Sequence, residues 1–436
     1  MAKSLPRGTH TVIVALGDLN GIARGKRMHA GVWEDFKHGI GMCNAIFQMD
    51  VTNDIWDTPY ANFDNGYPDF HIVPIVETMR PVPWEEGVVL VVGRAEEMDG
   101  SPVVCDPRNV LVEQLAEAAD QGYEVMTGVE FEFYLLDLET KELVDSGISV
   151  YGLARGAMFE HVVGPIRNLC SDMGIQVEMS NPEYAPGQIE INLRYQEALV
   201  SADNAMLFRN AVKEIAYNHG YLATFMAKPF FTESGNSFHM HQSLWKDGRN
   251  VFSDGGRLSA LGRSYLGGLQ QHMAETALIS APTPNAMKRR QDYTFCPTSN
   301  AWGGDNRTVG LRVIEGTESS TRIEQRDGSS DANPYLLTAV QLAAGLKGIA
   351  SGAEPTAKEV SDGYSATRHQ GLPRDIPTAL ELFNNSEFIA EVIPEPLRVT
   401  LAQQAEREHN FMVESDPEGW QDDVTQLERD RYLEAF

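Results

Sequence analysis

The stretch GVEFEFYL, Gly128 to Leu135, decides how the fold is read. Alternate side chains of a β-strand share a face. Glu130 and Glu132 therefore point one way, and Phe131, Phe133 and Leu135 point the other. An amphipathic strand with a wet outer face would give this pattern. Yet neighbouring glutamates repel, and glutamate is a poor strand former. A cation between them removes that cost, and it needs further donors from elsewhere in the chain.

Several segments offer them. FHMHQSLW, from Phe238, places His239, His241 and Ser243 on one face of a second strand. NPEYAPGQIEINL carries Glu183 and Glu190 across a Pro-Gly turn, with Ile189 and Ile191 facing away from Glu190. In TRIEQR, Arg322, Glu324 and Arg326 share a face opposite Ile323. DNRTVGLRV adds Arg307 and Arg312, and NAMKRR adds Lys288, Arg289 and Arg290. A set dominated by carboxylates selects hard cations, Mg²⁺ or Mn²⁺, over zinc. Guanidinium forks suit phosphate and carboxylate. Metals and arginines without an obvious Ser or Cys nucleophile point to phosphoryl transfer. Neither a Walker A loop nor a kinase signature is present, so an ATP site here is of another type.

The 436 residues exceed one ordinary core. The formal charge of −27 argues against binding nucleic acid or an anionic membrane. Cys43, Cys105, Cys170 and Cys296 form no CxxC pair, so neither a zinc site nor a disulfide framework is signalled. No signal-peptide core or membrane-length apolar run is evident, and a cytoplasmic protein is expected. THTVIVALGDLNGIARGKRM reads as a hairpin turning at Asp18 to Gly21. VVLVVGRAEEMDGSPVVCDP, from Val88, reads as another, turning near Asp99-Gly100. Character changes at Asp106-Pro107-Arg108, so the expected division is 1–105 and 106–436. Beyond it, VLVEQLAEAADQG, ARGAMFEHVVGPIRNLCSDMG, SADNAMLFRNAVKEIAYNHG and the small-residue run TAVQLAAGLKGIASG have helical periodicity.

Taken in order, these segments make the whole chain resemble the glutamine synthetase family. GVEFEFYL is similar to its GxEpEF strand, EYAPGQIEI to its E-x-x-x-G-Q-x-E segment, and SGNSFHMHQSLW to its His-x-His strand. NAMKRR, DNRTVGLR and TRIEQRDGSSDANPYL resemble its arginine-bearing loops and closing signature. The resemblance implies an α+β fold: a small N-terminal β-grasp-like domain, 1–105, and a catalytic domain, 106–436, on a curved antiparallel sheet. It implies ATP and two or three Mg²⁺ or Mn²⁺ ions. One metal would take Glu132, Glu183 and Glu190, and another Glu130, His239 and Glu324. Arg307, Arg312 and Arg322 match phosphate-binding and charge-stabilising arginines. Glu178, His241 and Ser243 match nucleotide contacts. Gly235, Arg289 and Arg326 match contacts to the amino-acid substrate, with Ser234 in place of the usual Asn.

The implied reaction phosphorylates the side chain of glutamate and then displaces phosphate with an amine. A double-ring dodecamer with active sites between subunits is also implied, with neither nucleic acid nor membrane as partner. Besides Ser234, two features depart from the family pattern. The D-G-S-S latch of its N-terminal domain is absent; Asp50, Asp54, Asp57 and Asp64 stand nearby, and Asp69 fits the later acidic position of that loop. The flap KRRQDYTFCP has Phe295 where ammonia-using members carry a catalytic glutamate. Tyr364 falls where some members are adenylylated, and reads as structural. The leading expectation is a ligase joining glutamate to an organic amine. The alternatives are glutamine synthesis from ammonia and a non-catalytic structural or regulatory member.

Overall fold

A computed structural model describes residues 4–147, 150–417 and 419–436. The N-terminal strands are β1 (Thr11–Gly17), β2 (Ala23–His29), β3 (Ile40–Cys43), β4 (Asp69–Pro74), β5 (Arg80–Pro81) and β6 (Val88–Glu96). They form a sheet in the order β2-β1-β6-β4-β3, with β5 paired to β6. β1 and β6 run parallel, and the first hairpin turns where the sequence places it. The second expected hairpin is reduced. The chain turns at Gly100, but Pro102 makes one bridge to Glu96 and no return strand follows. Proline has no N–H to extend the ladder.

The long strand β7 (Glu124–Asp137) is the axis of the second sheet. Around it lie β8 (Val177–Pro182), β9 (Gln188–Glu197), β10 (Tyr221–Thr224), β11 (Phe238–Lys246) and the short β12 (Arg249–Asn250). After a small hairpin of β13 (Ser253–Asp254) and β14 (Arg257–Leu258) come β15 (Trp302–Gly303), β16 (Leu311–Ile314) and β17 (Arg322–Gln325). The sheet order is β15-β16-β17-β11-β7-β9-β8, antiparallel except for β15 and β16. A fold that is α+β, as expected, is what this chain adopts.

The apolar face of β7 explains why the strand is fixed. Phe131 and Phe133 are fully buried. Phe131 stacks on Phe238 at 4.4 Å and on Phe208 at 5.8 Å, and meets Phe225 edge-on at 5.7 Å. Phe208 comes from helix Ala198–Asn218, so this aromatic cluster locks that helix to the sheet. Helix Pro107–Asp120 is capped by Asp106, whose side chain accepts from the Arg108 N–H. Helix Pro334–Ser351, nearly all buried, starts at the Asn333 cap and stops at Gly352 in the left-handed conformation. One continuous buried apolar cluster runs through both sheets. Among the described residues, no helix is long and apolar enough to cross a membrane.

Candidate active site

Register between strands turns the paired glutamates into a band. Glu132 lies opposite Glu190 of β9, and Glu130 opposite His239 of β11. His241 lies opposite Glu324 of β17, which lies opposite Arg312 of β16. Five strands thus present carboxylates, imidazoles and a guanidinium on one face. Glu183 joins from the turn after β8: its backbone N–H donates to the Gln188 carbonyl at 2.9 Å.

Two acidic groups result. Carboxylate oxygens of Glu132, Glu183 and Glu190 lie within 4.8 Å of one another, as do donor atoms of Glu130, His241 and Glu324. The first is the expected trio. In the second, His241 stands where His239 was expected. The Nδ1 of His239 faces the same two carboxylates, 3.4 Å from Glu130 and 3.7 Å from Glu324. The His241 tautomer follows from its partners. The Nε of Arg322 donates to its Nδ1 at 3.1 Å, so Nε2 carries the proton and donates to Glu130 at 2.9 Å.

The electrostatics follow from this crowding. Burial, then repulsion from Glu130, Glu132 and Glu183, pushes Glu190 up to about 9. Burial and Glu132 push Glu183 up to about 7. Burial would raise Glu130 too, but hydrogen bonds from the two histidines outweigh it and hold it well below the carboxylate range. Glu324 is fully buried, yet Arg326 and both histidines hold it down to about 2. Carboxylates packed until two retain protons form a donor set that fits hard divalent cations.

Glu324 lines neither cavity described below. Its oxygens are held by Arg312, at 2.9 Å, and by Arg326. On one side of the acidic band, a cavity of about 490 Å³ is lined by Glu178, His241, Ser243, Arg307, Arg312 and Arg322. On the other, a cavity of about 360 Å³ is lined by Ser234, Gly235, His239, Arg289, Phe295 and Arg326. Glu190, Arg307 and Tyr151 border both.

The second cavity carries unsatisfied donors. Among the described residues, Arg289 Nη1, Arg326 Nε and Ser237 Oγ are buried without a partner, a pattern suited to binding an anion. Of the NAMKRR basic run, Arg289 lines the second cavity. Lys288 pairs with Glu428 at 2.6 Å, and buried Arg290 donates to the Pro373 carbonyl at 2.7 Å. Gly235 lies flat on Arg289; a Cβ there would come within 2.5 Å of Arg289 Cγ. Gln188 donates to the Gly235 carbonyl at 3.1 Å, a contact the sequence reading did not anticipate. Tyr151 and Tyr184, both half-exposed, were not signalled by any motif.

The acidic candidates of the N-terminal loop separate. Asp50 pairs with Arg431 and Asp54 with Arg407, each at 2.8 Å. Asp57 accepts from the Tyr67 hydroxyl at 2.8 Å. Asp64 is exposed, with no hydrogen bond or ion pair among the described residues.

Comparison with known proteins agrees with this geometry. The family model described as "Glutamine synthetase, catalytic domain" matches residues 104–432. A glutamate–isopropylamine ligase of Pseudomonas sp. is 33% identical over 88% of this chain and 88% of its own length. A gamma-glutamylethanolamide synthetase of Streptomyces coelicolor, GlnA4, is 37% identical over 86% of this chain and 84% of its own. A glutamine synthetase of Methanosarcina mazei is 35% identical over 73% of this chain and 75% of its own. A solved structure of GmaS in complex with ADP superposes with a TM-score of 0.85 at 28% identity, covering 99% of this chain and all of that one.

Proposed function

The chain belongs to the glutamine synthetase family of ligases, whose members use ATP and divalent metals, and from that premise we propose that it joins the γ-carboxylate of glutamate to an organic amine. The observation that carries the reading is the acidic band set between a guanidinium-lined cavity and a cavity that ends on Phe295.

Glu132, Glu183 and Glu190 would hold one cation, and Glu130, Glu324 and a histidine another. His239 and His241 both have the reach. Bound there, two or three Mg²⁺ or Mn²⁺ ions would supply charge neutralisation for phosphate oxygens. Arg307, Arg312 and Arg322 face the first cavity and suit the phosphates of ATP. Glu178, His241 and Ser243 share that cavity and suit the rest of the nucleotide. In the second cavity, the partnerless donors of Arg289, Arg326 and Ser237 suit the carboxylates of glutamate. Gly235 and Ser234 shape the wall beside them.

A γ-carboxylate oxygen of glutamate attacks the γ-phosphorus of ATP, and ADP leaves. The acyl phosphate then loses phosphate to the attacking nitrogen, which sheds a proton as the amide forms. Phosphorylation is needed because a carboxylate oxygen is a poor leaving group. Phe295 offers the incoming nitrogen no proton acceptor, only apolar surface, which favours an alkyl group over ammonium.

The double-ring dodecamer is proposed from the family resemblance, and the division at 105 and 106 from the change of character at Asp106-Pro107-Arg108. Ammonia is a second acceptor reading because Asp64 is exposed and, among the described residues, unpaired; from a neighbouring copy it could supply the acid that Phe295 does not. The test of the reaction is isotopic. Oxygen-18 in the γ-carboxylate of glutamate should appear in the released phosphate. Label that stays wholly in the amide and in glutamate refutes the acyl phosphate.

A further inference from the structure

The loop from Arg289 to Pro297 has a feature the proposed reaction leaves unused. Tyr293 and Phe295 both adopt left-handed backbone, at φ 65° and 59°. Bulky side chains disfavour this region and persist there only where the surroundings impose it. Burial of the two rings is not the cause, since they are 72% and 57% exposed.

The restraint comes from a distant segment. The Tyr364 hydroxyl donates to the Cys296 carbonyl at 3.3 Å. The Tyr364 ring also meets the Tyr293 ring at 5.2 Å, tilted by 50°. Tyr364 therefore grips the loop on both sides of Phe295, yet lines neither cavity. It is itself anchored: its N–H donates to Asp362 at 3.0 Å, and the N–H of Gly363 donates to the Thr308 hydroxyl at 2.8 Å. Arg374 pairs with Asp292 at 2.7 Å, and Thr294 donates to the Gln291 carbonyl at 2.8 Å, which fixes the start of the loop.

We infer that Tyr364 is a positioning residue for acceptor selectivity, pinning the strained Tyr293–Cys296 loop so that Phe295 stands at the end of the amino-acid cavity. The inference rests on the ligase reading above. Tyr364 touches no reacting atom; it acts by fixing where the Phe295 ring lies.

The test uses the full chain with glutamate and ATP. The quantity read is kcat/KM for isopropylamine divided by kcat/KM for ammonium. Hydroxylamine, a small nucleophile that traps acyl phosphates, is the control for the first step. Tyr364→Phe keeps the ring and removes one hydrogen bond, so the ratio should fall about five-fold. Tyr364→Leu, which removes the ring contact as well, should lower it further, with KM for glutamate moving less than the ratio. Phe295→Gly suits left-handed backbone and lacks the ring. It should lower the ratio alone, and Tyr364→Phe added to it should change nothing more.

An unchanged ratio in Tyr364→Phe overturns the inference. So does the same Tyr364→Phe effect with and without the Phe295 ring. If the wild type makes hydroxamate but ammonium is its best acceptor, the amine reading falls alone, and the Tyr364 effect on the ratio still decides the inference. If neither hydroxamate nor amide forms, both fall.

Discussion

Replacing Glu190 by glutamine should stabilise the protein without divalent cations and weaken it with them. Glu190 lies opposite Glu132 and within 4.8 Å of Glu183. Burial and its three acidic neighbours raise it from 4.5 to about 9. The folded state thus holds a proton that the unfolded state releases above pH 4.5, so stability falls as pH rises from 4.5 towards 9. At pH 7 the cost is at most about 3 kcal/mol, from 2.5 pH units at 1.36 kcal/mol each. Glutamine carries no such penalty. In chelator, Glu190→Gln should therefore melt above the wild type at pH 7 and 8, and the gap should close near pH 5. Excess Mg²⁺ should reverse the order, because the wild type gains a fully charged ligand set and the variant does not. Thermal melts at three pH values, with and without Mg²⁺, read both effects. A variant less stable than the wild type in chelator at every pH, with an undiminished Mg²⁺ shift, refutes the cation site.

Mg²⁺ binding at pH 7 should release about one to two protons, mainly from Glu190 and Glu183, which lie at about 9 and about 7 without metal; calorimetry in buffers of different ionisation enthalpy reads the number, and zero contradicts the assignment. Glu324→Ala leaves Arg312 and Arg326 facing each other over an unpaired gap. It should cost about 3–5 kcal/mol of stability and weaken metal binding by roughly 10- to 100-fold or more; near-normal turnover with unchanged metal dependence would count against its role. Arg289→Lys should raise KM for glutamate with less effect on KM for ATP, since its partnerless Nη1 borders only the second cavity; steady-state kinetics decide this, and equal effects on both would contradict the division of the site.

Much of this site was legible because a strand has period two. That period alone put Glu130 with Glu132 and Phe131 with Phe133, and the structure buries the second pair completely. It did not reveal which residues of different strands become neighbours. That depends on register, which brings His241 as well as His239 to Glu130 and Glu324. Nor did it show that Glu324 sits behind the cavities, gripped by two arginines. The N-terminal acids were undecidable for a related reason. Asp50 and Asp54 find their partners, Arg431 and Arg407, more than three hundred residues away. No local motif encodes such a contact. The missing return strand after Gly100 was foreseeable from Pro102, whose ring removes a ladder donor.

The central claim is an amine acceptor, and it is tested most directly by kcat/KM for ammonium, methylamine, ethylamine, isopropylamine and a diamine on the wild type and on Phe295→Glu. Phe295 is 57% exposed at the cavity wall and can cover an alkyl group. Burying a few methylenes there gains on the order of 1–3 kcal/mol. An alkylamine should therefore beat ammonium in the wild type by about ten-fold to a few hundred-fold, and the glutamate should shift preference towards ammonium. Ammonium as the best wild-type substrate, with no shift in Phe295→Glu, would contradict the account and leave a glutamine synthetase.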